Sequence, residues 1–99
     1  MKVIDVRESS EPCMEAGRVA FDLLLDRHAD RALVARLSIL GRTLFLAELR
    51  EPFFTVDRPS SHLRGIVGRD RLRLACDSVE AEAEIELLRS AIESGGEVT

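Results

Sequence analysis

Apolar and polar positions change period several times along this chain, and the changes mark out its elements. Val3, Ile4 and Val6 make Lys2 to Val6 a short strand. From Arg18 to Leu25 the residues Val19, Phe21, Leu23 and Leu25 alternate with Ala20, Asp22, Leu24 and Asp26, which favours a strand over a helix that Gly17 would weaken. Asp26 to Asp30 is a turn. The segment from Ala32 admits two readings. A strand with Leu33, Ala35, Leu37 and Ile39 on one side would pass through a Gly41-Arg42 hairpin turn into Thr43 to Leu49, and this is preferred. The alternative is a helix capped by Asp30, carrying the stripe Leu33, Val34, Leu37 and Leu40, and ended by Gly41.

Phe53 to Val56 reads as a strand after Pro52. Leu63 to Val67 then leads through Gly68-Arg69-Asp70 into Arg71 to Cys76, where Leu72, Leu74 and Cys76 oppose Arg71 and Arg73. The segment VEAEAEIEL looks strand-like by alternation, but Ala and Glu favour helices. Ala81, Ile85, Leu88 and Ile92 form one helical stripe, Asp77 with Glu80 resembles a capping box, and Gly95-Gly96 stops the run. A helix is expected over about 78–94. The fold class is therefore α+β: an antiparallel sheet of five or six short strands packed by a C-terminal amphipathic helix, with an additional helix within residues 11–40 as the alternative.

Composition narrows the picture. The 99 residues fit one small domain. With four Phe and neither Trp nor Tyr, the core must be aliphatic. The N-terminus does not read as a signal peptide, and no apolar run is long enough for a membrane span. The expected setting is the cytoplasm. Thirteen Arg against the single Lys2 fits a GC-rich bacterial or phage genome. Cys13 and Cys76 suit neither a disulfide framework nor a zinc site, and Glu11 and Glu15 would disfavour a reactive thiolate at Cys13.

Charge is strongly segregated. Residues 58–73 hold five Arg (58, 64, 69, 71 and 73) against Asp70, whereas residues 77–99 hold seven acids against Arg89. Arg69, Arg71 and Arg73 could line one strand face and meet phosphates or a carboxylate-rich partner. The plainer expectation is that the acidic helix offsets this row within one subunit or across a dimer. A net charge of −4 and the lack of interleaved aromatics disfavour nucleic acid.

Nothing in the chain spells an enzyme: Ser60-Ser61-His62 has the residue types of a nucleophile and base without their usual separation, and no phosphate loop or nucleophile elbow is present. Asp26-x-His28-x-Asp30 after Leu23-Leu24-Leu25 resembles one metal-binding motif of the arginase and agmatinase (ureohydrolase) family. That resemblance implies divalent-metal ligation at the turn, as in a small metal-dependent enzyme. It covers only these residues, in a chain far shorter than that family's fold, and no second motif accompanies it. No cofactor is expected, and an exposed His in a charged turn is the plainer reading.

The leading expectation is a non-catalytic binding or regulatory module acting through protein–protein contact. A homodimer is one such arrangement, through an exposed edge strand or a patch of Phe45, Phe53 and Phe54. A second expectation is an acidic inhibitor that occupies a nucleic-acid-binding surface of a defence or regulatory complex, with Glu80, Glu82, Glu84 and Glu86 standing in for phosphates.

Overall fold

A computed structural model describes residues 1–9 and 17–94. It contains six strands, β1 (Val3–Glu8), β2 (Arg18–Leu25), β3 (Arg42–Leu46), β4 (Phe53–Arg58), β5 (Ser61–Ile66) and β6 (Arg71–Asp77), with helices α1 (Arg31–Leu37) and α2 (Ala81–Ser94). The strands form one antiparallel sheet in the order β1-β2-β6-β5-β4-β3. The α+β class and the sheet-packing C-terminal helix are thus present, the helix entering through a 3-10 turn over Ser78–Glu80.

Strand alternation divides the sheet into two faces. Leu23, Leu25, Phe54, Val56, Leu63, Leu72, Leu74 and Cys76 point to one side, where they form a continuous core with Leu33, Val34 and Leu37 of α1 and Leu88 and Ile92 of α2. Ala81 and Ile85 pack at its margin, so the whole predicted stripe of α2 meets the core. At Gly65 a Cβ would sit 2.5 Å from Leu72 Cδ2 and 2.8 Å from the Phe54 ring. The missing side chain is what lets that ring lie across β5.

Two expectations about local structure are corrected. The segment Ala32 to Ile39 is not a strand, and Gly41-Arg42 is not a hairpin turn. Residues Arg31–Leu37 are helical, Asp30 accepts a hydrogen bond from the Leu33 N–H at 2.8 Å, and a 3-10 turn (Ser38–Leu40) follows. The reason is geometric. Leu33, Val34 and Leu37 are all buried; positions one and four apart share a helix face, whereas a strand would send Leu33 and Val34 to opposite sides. Ile39, assigned inward by the strand reading, is 84% exposed. The second correction concerns Asp77. It precedes the α2 turn as expected, but its side chain makes no capping hydrogen bond and instead accepts from Arg18 Nε at 3.0 Å.

Candidate functional site

The other face of the sheet is covered by neither helix. Its side chains line up in rows across the strands, because each antiparallel pair puts residues directly opposite one another. One row runs Arg7, Asp22, Arg73, Arg64, Thr55 and Leu44, from β1 to β3. A flanking row contains Ala20, Ala75, His62, Asp57 and Arg42, with the His62 imidazole against the Asp57 carboxylate.

Around Arg64 and Arg73 the surface is concave. This cleft, of about 620 Å3, is lined by Arg64, Arg69, Arg71 and Arg73, by Asp22 and Asp70, and by Phe53 and Ile66 on its apolar side. The turn at Gly68-Arg69-Asp70, where Gly68 takes φ +96, swings Arg69 to the rim. There it donates to Glu51 at 2.6 Å, and this carboxylate raises the Arg69 pKa above its ordinary value. Arg73 donates to Ser9 Oγ at 2.6 Å. Arg71 stands 3.9 Å from Asp22. Arg64 is exposed and has no hydrogen bond or ion pair among the described residues.

The cleft thus gathers Arg69, Arg71 and Arg73, as the sequence placed them, and adds Arg64. The signal for Arg64 was available: it is the polar member between inward Leu63 and Gly65. Its position opposite Arg73 depended on strand register, which sequence alone left unset.

The expected charge compensation within one subunit is corrected. α2 lies on the core side of the sheet, and Arg64, Arg71 and Arg73 project from the other. Successive side chains of β6 point to opposite faces, so the Leu72 and Leu74 positions that seat the helix turn the intervening arginines away from it. The one arginine of this run that meets α2 is Arg58, which donates to Glu84 at 3.1 Å.

Glu84 itself is buried. Its carboxylate also accepts from Ser60 Oγ at 2.8 Å and Ser61 Oγ at 3.2 Å, tying α2 to the start of β5. Glu80, Glu82 and Glu86 remain exposed, so the four acids do not stand in one outward row.

The phenylalanine patch is corrected as well. Phe45 and Phe54 pair across β3 and β4 on the helix-covered side, where Phe54 is fully buried and the Arg31 guanidinium lies 5.5 Å from the Phe45 ring centre. Adjacent Phe53 must then point to the opposite face, into the arginine cleft. The exposed apolar residues near them are instead Leu44, Leu46 and Leu49.

At the Asp26–Asp30 turn the two carboxylates serve the backbone. Asp26 accepts from the Lys2 N–H at 2.9 Å, a hydrogen bond that holds its pKa below the ordinary 3.8, and Asp30 caps α1. His28 is exposed, and no group of three metal-ligating side chains occurs among the described residues. Cys13 lies outside the described residues; Cys76 is fully buried in β6. No described helix is long and apolar enough to cross a membrane. Compared with protein-family models, curated proteins and solved structures, the chain matches none.

Proposed function

We propose that the chain is a non-catalytic binding module that acts through protein–protein contact, its first partner being a second copy aligned along β3. The observation that carries this reading is the contrast between the two edges of the sheet. β1 has the features by which edge strands avoid pairing: a register shift between Val3 and Asp5, the charged residues Asp5, Arg7 and Glu8, and a Val3 N–H that donates to Glu93 at 3.0 Å. β3 has no register shift against β4 and a single charged residue, Arg42 at its first position. Its sequence is RTLFL, among the described residues it pairs only with β4, and Leu44 and Leu46 are 54% and 40% exposed on the face away from the helices.

Two copies of such an edge are self-complementary. An antiparallel pairing about Leu44 sets Leu44 on its own copy, Arg42 opposite Leu46, and Thr43 opposite Phe45. The two Arg42 side chains then stand roughly 13 Å apart along the seam, whereas a parallel pairing would stack them. The leucines of both copies would adjoin as one apolar strip across the seam.

Light scattering across a concentration series tests this. The wild-type chain is expected to form a dimer, Leu44→Lys with Leu46→Lys a folded monomer, and Ile4→Lys on β1 a dimer like wild type. A wild-type chain that stays monomeric at every concentration overturns the reading, as does a double variant that still dimerises.

A further inference from the structure

The exposed apolar side chains are not scattered over the surface. Of six large ones among the described residues, four (Ile39, Leu44, Leu46 and Leu49) fall between residues 39 and 49, in and beside β3. Leu44 and Leu46 belong to the strand. Ile39 and Leu49 stand just beyond its two ends, 84% and 49% exposed. Local structure fixes both positions. Ile39 is the middle residue of the 3-10 turn Ser38–Leu40, in which Leu40 packs against the core and its carbonyl accepts from Arg58. Leu49 sits in the turn leading to β4, where its N–H donates to the Leu46 carbonyl at 3.4 Å.

A pairing of β3 with its own copy is too small an interface by itself. The five residues of β3 make a seam roughly 17 Å long and one strand wide, a small part of the ~800 Å2 that each partner of a stable complex buries. The two-fold axis of the antiparallel pairing passes at Leu44, so the start of β3 in one copy lies beside its end in the other. Ile39 comes five residues before Leu44, and Leu49 five residues after it. The symmetry therefore brings Ile39 of each copy to Leu49 of the other, once at each end of the seam. We propose that these two contacts complete the interface of the β3 dimer; they exist only if β3 pairs with its copy as proposed above. They also select the register. A slip that set Leu44 against Leu46 would still join leucines, but it would carry Ile39 past Leu49 to Glu51.

Light scattering of the full chain over a concentration series gives a dimer dissociation constant for each variant. Ile39→Glu and Leu49→Lys are each expected to weaken the dimer about tenfold or more, since each substitution alters both ends of the seam. The variant carrying both is expected to dimerise more tightly than either single one, because each new carboxylate meets an ammonium of the other copy. Within one chain the two positions are separated by the length of β3, so such a recovery reports a contact between copies. Val79→Glu, at a similarly exposed position (89%) that follows β6, three strands in from β3, is expected to dimerise as wild type. A dimer that depends on Leu44 and Leu46 but is unchanged by Ile39→Glu or by Leu49→Lys overturns these contacts and leaves the β3 seam standing. So does a combined variant that dimerises no more tightly than the single ones. A wild-type chain that never dimerises overturns the seam and these contacts together.

Discussion

A carboxylate with 7% side-chain exposure, such as that of Glu84, is stable in place only because its lone pairs are satisfied. Arg58 and the hydroxyls of Ser60 and Ser61 supply three donors. Arg58 in turn donates to the Leu40 carbonyl, so one guanidinium joins β4, α2 and the turn after α1. Glu84→Ala would leave the guanidinium and two hydroxyls without their shared acceptor. Loss of a buried pair costs about 3–5 kcal/mol when fully enclosed; Arg58 is a quarter exposed, which reduces the expected cost to about 2–3 kcal/mol. Glu82→Ala, at an exposed position on the same helix, should change stability by less than about 0.5 kcal/mol. Urea unfolding of both variants reads the difference directly. A Glu84→Ala midpoint equal to that of Glu82→Ala would show that the three donors contribute nothing net.

Elements whose residue types favour one of two competing periods are readable in the sequence, and the segment whose types favour neither is not. β2 has the bounds that alternation gave it, and α2 follows from its stripe and its residue types despite a misleading i, i+2 pattern. The segment from Arg31 to Gly41 satisfied both periods, and the strand reading gained weight because it also explained Gly41. That glycine has a different cause. Its backbone is extended at φ −176, which any residue adopts, but a Cβ there would overlap the Asp57 carbonyl and crowd Arg58 Cγ at 2.9 Å. Gly41 is needed for close approach to β4 and not for a turn. Gly41→Ala must therefore move backbone, and an overpacking cost of about 1–3 kcal/mol is expected in thermal or urea unfolding. Wild-type stability in that variant would mean that β3 and β4 separate there without penalty. The same contrast explains the site. The arginine face of β6 was visible as Arg71 and Arg73 between leucines, whereas Arg64 opposite Arg73 and Glu84 under Arg58 arise from pairings between distant segments, which one sequence does not encode locally.

At the scale of the whole molecule, charge segregation along the chain has become segregation by face. The exposed acids of α2 lie on the helical side, and the arginines of β5 and β6 lie across the sheet from them. An intervening core of aliphatic side chains keeps the two sets apart, so neither neutralises the other at contact distance. This separates the β3 seam from the arginine face by its physics. The β3 seam would be held by backbone hydrogen bonds and contact between leucines, which salt screens little. A contact made through the arginines would be held by charge at a surface where screening is strong: the Debye length falls from about 30 Å at 0.01 M salt to about 8 Å at 0.15 M. Raising sodium chloride over that range is expected to leave the dimer dissociation constant nearly unchanged, which light scattering at each salt concentration measures. A dimer that dissociates with salt would place arginines in the seam, and would move the self-association surface from the β3 edge onto the arginine face itself.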